Sequence, residues 1–196
     1  MYKKFVKRLL DFVISLVLIV ILLIPMILIS LFVLITDPGP IFYRQKRFAR
    51  NYADGRHRFF KIIKFRTMKV NTPDVPTDKL KDPSKYVTFC GKILRRTSLD
   101  ELPQLFNILM GQMSFVGPRP ALWNQEALMR MRDENGSSLL RPGLTGWAQI
   151  NGRDDISETR KAKLDGEYAK KISFGFDCKC FFGTFVKVFK SDGVKG

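Results

Sequence analysis

The sequence predicts an α+β fold, mostly helical, on three observations. An apolar segment runs unbroken by charge over residues 12–35, two aromatic-rich stretches are spaced as a β-hairpin, and leucines recur at helical spacing ahead of Gly111. A chain of 196 residues has room for one domain plus an anchor, because about 100–150 residues already bury most of a domain's apolar surface. The division drawn from these patterns is an apolar anchor over residues 1–36 and one folded domain over residues 37–196.

As a helix rising ~1.5 Å per residue, the apolar segment covers about 36 Å, enough to cross a bilayer. It is too long for the apolar core of a cleaved signal peptide, ~7–15 residues, and no small-residue cleavage site follows. Lys3, Lys4, Lys7 and Arg8 precede it, while Arg44, Lys46, Arg47 and Arg50 follow it. With basic residues on both flanks the positive-inside rule gives no clear orientation, and both ends read as cytoplasmic. Pro25 stands near the middle, where it removes a backbone hydrogen bond and kinks a helix. Two readings stand at this point: a kinked helix that dips in and returns, and a single span.

Residues 41–50 and 58–68 are aromatic and β-branched and flank a turn containing Asp54-Gly55, the pattern of a hairpin. The second stretch ends in Lys64-Phe65-Arg66-Thr67-Met68. Residues 71–84, with Pro73, Pro76 and Pro83, read as a surface loop. Leu99, Leu102, Leu105, Phe106 and Leu109 predict an amphipathic helix of about three turns stopped by Gly111. Gly117-Pro118-Arg119-Pro120 and Arg141-Pro142-Gly143 are rigid turns on either side of a helix near residues 123–134, and each sets an arginine on a loop. Residues 143–153 carry Trp147, Gln149 and Asn151, and a polar helix follows over about residues 157–170. Phe176, Cys180, Phe181, Thr184, Phe185, Val188 and Phe189 then recur at helical spacing among lysines. That pattern fits a helix lying at a membrane interface or packed on the core.

Lys and Arg number 34 against 18 Asp and Glu, a net charge of +16 that calls for a polyanionic partner: nucleic acid, anionic lipid or phosphorylated substrate. Three cysteines without a CxxC pair support neither a disulfide framework nor a zinc site. With His57 the lone histidine, acid–base chemistry falls to carboxylates, and any metal is a hard, oxygen-bound one.

Asp100-Glu101 is the adjacent acid pair that lies at the start of a predicted helix. Ser98-Leu99-Asp100-Glu101 fits the capping box, in which Glu101 satisfies the helix start. The same positive helix end would keep Asp100 ionised and able to attack phosphorus. Lys64, Arg66, Arg95, Arg96, Arg119 and Arg141 together would neutralise a diphosphate, although each alone reads as a solvated surface charge. Phosphoryl transfer needs mainly positioning and charge neutralisation, commonly with magnesium, so the scarcity of histidine is no obstacle. The chain has no G-x-x-x-x-G-K-[ST], G-x-G-x-x-G or H-E-x-x-H, and Asp154-Asp155 is not a spaced D-x-D pair.

At these residues the chain resembles the small monotopic phosphoglycosyl transferases of the bacterial sugar transferase family. The likeness runs through residues 1–12, the proline-broken apolar segment, and residues 64–68, 95–104, 113–120 and 141–153. What it implies is a two-step reaction. Asp100 attacks the sugar-linked phosphorus of a UDP-sugar and expels UMP, and polyprenyl (undecaprenyl) phosphate then takes the phosphosugar from the aspartyl intermediate. Such a step opens the membrane stage of polysaccharide or glycoprotein glycan assembly. By the same resemblance Asp100 and Glu101 bind Mg2+, Glu101 alternatively assisting deprotonation, and Lys64, Arg66, Arg95, Arg119 and Arg141 hold phosphates. The apolar segment becomes a re-entrant helix-break-helix with Pro25 as the break. Residues 37–196 become a catalytic domain with interfacial helices, on the cytoplasmic face of the bacterial inner membrane. The implied partners are UDP-sugar, polyprenyl phosphate and anionic membrane lipids, with no nucleic acid. One departure is Ile24, where related sequences often place a serine whose hydroxyl would satisfy carbonyls freed at the break. A reading from another class is a membrane-anchored basic binding or assembly protein, with the acid pair as a helix cap. A lipid phosphatase, releasing phosphate instead of UMP, is a further one. No residue in the sequence reads the sugar.

Overall fold

The computed structural model describes residues 2–51, 56–73, 82–152 and 156–189. A π-helical turn, Tyr2–Val6, leads into α1 (Lys7–Ile21), and α2 (Leu23–Thr36) follows after Leu22. The two helices are bent by 62°, and among the described residues no single helix is long and apolar enough to cross a membrane. The break sits at Leu22, one turn ahead of Pro25, which lies in the first turn of α2. That offset follows from proline chemistry. Pro25 has no N–H for the Ile21 carbonyl, and its ring crowds the same carbonyl, so the helix fails upstream of the proline itself.

Val20, Ile21, Ile24, Leu28 and Ile35 of these helices are exposed, whereas Met26 and Val33 join Phe65, Cys90 and Leu94 in a buried cluster. Both ends of the bent pair are tied to the same body. At its start, Lys7 meets Asp177 at 2.6 Å, and Arg8 donates to the carbonyls of Ile108 (2.7 Å) and Leu109 (2.8 Å). Buried Asp11 accepts from the Ser114 hydroxyl (3.1 Å) and the Phe115 N–H (3.0 Å). At its end, Asp37 pairs with Arg66.

The hairpin forms as the pattern predicts. β1 (Phe42–Phe48) and β2 (Phe59–Phe65) are antiparallel, with Phe42 opposite Phe65 and Phe48 opposite Phe59. Asp54-Gly55, and residues 74–81 of the predicted loop, lie outside the described residues. Alternation along β2 puts Phe60, Ile62 and Lys64 on one face. Phe60 and Ile62 enter the main core with Leu105, Ile108, Met113 and Phe115, and Lys64 carries the face onward to the acid pair. The outer edge of β2 is closed by Asn107 of α4 (Gln104–Leu109). Its Oδ1 accepts from the Ile63 N–H (3.0 Å) and its Nδ2 donates to the Lys61 carbonyl (2.9 Å).

α3 (Phe89–Thr97) starts at Thr88, whose hydroxyl accepts from the Gly91 N–H at 2.9 Å. It packs so tightly on the chain after β2 that a Cβ on Gly91 would lie 2.0 Å from the Thr67 carbonyl oxygen. The turns that the sequence reads as punctuation border a parallel pair that it does not predict, β3 (Ser114–Val116) and β4 (Gly143–Thr145). Gly143 permits it, since a Cβ there would lie 2.1 Å from the Gly117 nitrogen. α5 (Glu126–Glu134) is shorter than the predicted helix near residues 123–134, and it packs on α7 (Glu158–Lys171), which Ser157 caps. A short α6 (Trp147–Ile150) separates β4 from α7. α8 (Phe174–Phe189) packs Cys180, Phe176 and Phe181 on the core, as one reading of its pattern expects, and leaves Phe174, Phe182 and Val186 exposed.

Candidate active site

The acid pair does not start a three-turn helix. Ser98 is the left-handed C-cap of α3 (φ 57°), Leu99–Glu101 is a single 3-10 turn, and α4 begins only after Pro103. The capping box is therefore absent: Ser98 makes no side-chain cap, and Glu101 turns toward Lys64 instead of the helix start. Sequence spacing matched the motif, but a capping box needs an extended residue at the cap, and Ser98 is not extended. The six-residue α4 then begins beyond Asp100, so neighbouring cations, not a helix end, supply the positive charge.

Those cations arrive from three elements. Lys64 of β2 lies 2.7 Å from Glu101 Oε1 and 3.7 Å from Asp100 Oδ2. Arg119, on the loop after β3, lies 3.9 Å from Glu101 Oε1. Arg95, in the last turn of α3, interacts electrostatically with Asp100 and is held by its Nε donating to the Thr67 hydroxyl at 2.9 Å. Asp100 is buried. That burial pushes its carboxyl above the ordinary aspartate range; Lys64 opposes the rise most strongly, Glu101 adds to it, and Arg95 and Arg119 also oppose it. Burial likewise lowers the Arg95 guanidinium from its usual value, against the pull of Asp100. Beside the pair lies a small cleft whose walls include Arg47, Lys64, Glu101, Gln104 and Arg119.

Two cations grouped with these by sequence are employed elsewhere. Arg66, buried, pairs with Asp37 at the end of α2 (3.4 Å) and donates to the Asp37 carbonyl. In a continued strand it would share a face with Lys64, but β2 ends at Phe65 and the chain turns. Arg141 donates to the Gly111 carbonyl at 3.0 Å, past the far end of α4 from the acid pair. Pro25 is likewise remote from this cluster, one turn beyond the helix break.

Sequence reasoning missed Thr67, Gln104, Arg47 and Asn107. A signal existed for Asn107, a polar residue inside the leucine stripe of residues 99–109, which reads as an internal hydrogen-bonding post. Two adjacent carboxylates also suit magnesium, which takes one or two protein carboxylates and completes its shell with water and substrate phosphates. Among the described residues no group of three acidic, histidine or cysteine side chains is gathered for a metal.

Two adjacent carboxylates, Asp100 buried and Glu101 half-buried, are ringed by cations, a set suited to a phosphorylated ligand, on a body that carries an exposed apolar helix pair. The chain belongs to the bacterial sugar transferase family, whose model matches residues 2–191. It is 38% identical over 194 residues to the UDP-glucose:undecaprenyl-phosphate glucose-1-phosphate transferase of Escherichia coli K12, covering 95% of this chain and 40% of that protein. It is 37% identical over 206 residues to the UDP-galactose-lipid carrier transferase of Erwinia amylovora, covering 97% of this chain and 42% of that protein. With the exopolysaccharide production protein ExoY of Sinorhizobium fredii it shares 38% identity over 176 residues, 81% of this chain and 74% of that protein. The chain thus spans about two fifths of the length of the first two relatives.

Proposed function

We propose that this chain transfers a sugar 1-phosphate from a UDP-sugar to polyprenyl phosphate with release of UMP. The observation that carries the reading is the convergence of Lys64, Arg95 and Arg119 on buried Asp100 and its neighbour Glu101 beside a small cleft. The names of the relatives, UDP-sugar and undecaprenyl-phosphate transferases, support the same substrates.

In this reading an Asp100 carboxylate oxygen attacks the sugar-bearing phosphorus. The bond from that phosphorus to the bridging oxygen breaks, and UMP leaves with the bond's electrons. A phosphate oxygen of the polyprenyl carrier next attacks the same phosphorus, breaks its bond to Asp100 and regenerates the carboxylate. Lys64 and Arg119 bind the diphosphate and spread its charge, while Arg95 stabilises the ionised Asp100 whose burial works against it. Magnesium bound at Asp100 and Glu101 would neutralise further diphosphate charge. The bent apolar pair is a re-entrant anchor at the cytoplasmic face of the bacterial inner membrane, and residues 37–196 are the catalytic domain. Support for that placement comes from the two ends of the pair, both bonded to one folded body, and from the exposed apolar side chains of α1 and α2.

Asp100→Asn in the full chain tests the mechanism. UMP release, and covalent labelling by a UDP-sugar radioactive in its sugar, should both disappear while circular dichroism is unchanged. Undiminished turnover would refute the assignment. Free phosphate without UMP would indicate a lipid phosphatase, and lipid binding without any product would indicate an assembly protein.

A further inference from the structure

Arg119 sits on a loop, yet its guanidinium has to meet Glu101 and a phosphate with little freedom. The backbone of that loop is gripped at two consecutive carbonyls. Arg132 donates through NH1 to the Arg119 carbonyl at 3.1 Å, and Arg47 donates through NH1 to the Pro120 carbonyl at 3.0 Å. Arg132 is itself fixed from behind by buried Asp165, whose Oδ2 accepts from its Nε (2.9 Å) and NH2 (2.7 Å). Arg47 is steadied by Gln45, whose Oε1 accepts from its NH2 at 2.6 Å.

The backbone of β1 joins the same grip. Phe48 N–H donates to the Ala121 carbonyl at 3.0 Å, and Arg47 forms an antiparallel bridge with Leu122. Residues 120–122 thereby act as a short third strand on the hairpin. The two arginines reach the loop from two different elements, Arg132 from α5 and Arg47 from β1. Arg47 also forms part of the cleft wall with Lys64 and Arg119.

We propose that Arg47 is a positioning residue for anion binding: through the Pro120 carbonyl it holds the loop that aims Arg119 into the cleft. The inference rests on the transferase reading for its substrate, but its geometry concerns any phosphate that Arg119 binds. A residue that works through another leaves a signature in a double-mutant cycle. Once Arg119 is gone, there is nothing left for Arg47 to aim.

The test uses the full chain in detergent, with Arg47→Met, Arg119→Met and the double variant. Two quantities are measured for each: kcat/KM for UMP release from a UDP-sugar, and affinity for inorganic pyrophosphate. Losing one charge-assisted contact lowers affinity about ten- to hundredfold, so Arg119→Met should fall by that much and Arg47→Met by no more. The double variant should match Arg119→Met to within about threefold, whereas thermal stability losses should simply add. Arg47→Lys, which keeps the charge but not the forked donors, serves as the milder partner if Arg47→Met folds poorly. Multiplying losses in the double variant would overturn the proposal and make Arg47 an independent phosphate contact. So would single variants that match the wild type. If the wild-type chain releases no UMP but binds pyrophosphate, the transferase reading fails and the cycle on pyrophosphate still decides the role of Arg47. A wild-type chain that binds neither overturns both.

Discussion

Replacing Asn107 with alanine should loosen the acid turn from the strand that supplies Lys64. Asn107 is fully buried, and it satisfies the Ile63 N–H (3.0 Å) and the Lys61 carbonyl (2.9 Å) on the open edge of β2 while its Nδ2 also donates to Gln112 Oε1 (2.7 Å). Alanine deletes all of these bonds. Lys61 is exposed, so water recovers its carbonyl, whereas Ile63 is half-buried and its N–H loses a partner that water replaces poorly. A stranded buried donor costs about 1–3 kcal/mol, and the bond lost to Gln112 adds about 1 kcal/mol, giving a total of about 2–4 kcal/mol. For a chain of this size ~1 kcal/mol shifts Tm by about 2–4 °C, so the midpoint should drop by about 4–16 °C. Differential scanning fluorimetry of the detergent-solubilised chain measures it. UMP release assayed well below the new midpoint should remain depressed, because α4 follows directly on the turn that bears Asp100 and Glu101. A shift below about 2 °C with full activity would show that the edge of β2 does not depend on α4, and the account of how Lys64 reaches Glu101 would fail with it.

Three further outcomes follow from the same geometry. The acidic limb of the pH–rate profile tracks ionisation of Asp100, whose burial places it above the ordinary aspartate range. Lys64→Met removes the strongest opposing charge and should move that limb to higher pH, whereas Glu101→Gln removes a raising charge and should move it lower; limbs that stay put would separate Asp100 from the rate. Gly143→Ala sets a Cβ 2.1 Å from the Gly117 nitrogen and 2.3 Å from the Thr145 oxygen, backbone atoms that cannot rotate aside, and should cost about 3 kcal/mol or more in urea unfolding. Arg132→Met strands the carboxylate of Asp165, which is 1% exposed, and should cost about 3–5 kcal/mol; adding Asp165→Leu should restore most of that stability, and no recovery would argue against a charge origin.

The elements with strong local patterns were legible in the sequence, and those made by chain segments meeting at a distance were not. Aromatic and β-branched composition in residues 58–68 was enough for β2, and the polar run from about residue 157 was enough for α7. β3 and β4 are each only three residues long, and their pairing depends on Gly143 permitting close backbone approach. No periodicity can develop over so short a run. The Asp100-Glu101 pair and its partners Lys64, Arg95 and Arg119 were found from charge type, but charge type alone also admitted Arg66 and Arg141. What separates them is where β2 stops and which carbonyls lie nearby, both properties of the folded chain. The capping box failed for a related reason: spacing records which residues are three apart, but not that Ser98 adopts a left-handed conformation.

Residues 64–67 show why Arg66 belongs in the argument despite facing away from the acid pair. Lys64 reaches Glu101, Phe65 is buried in the cluster with Met26 and Val33 of α2, Arg66 holds Asp37 at the end of α2, and the Thr67 hydroxyl holds Arg95. The outer two of these four residues therefore serve the acid site and the inner two hold the apolar helix pair. Because a strand has little freedom to stretch or rotate within such a span, a displacement of α2 against β2 has to move Lys64 or Thr67 as well. The acid site and the apolar pair are consequently one mechanical unit. The transferase proposed above would need its phosphate-binding cations held at a fixed depth relative to the bilayer, and a short stretch bonded to both the cations and the apolar helix pair would supply that fixed depth.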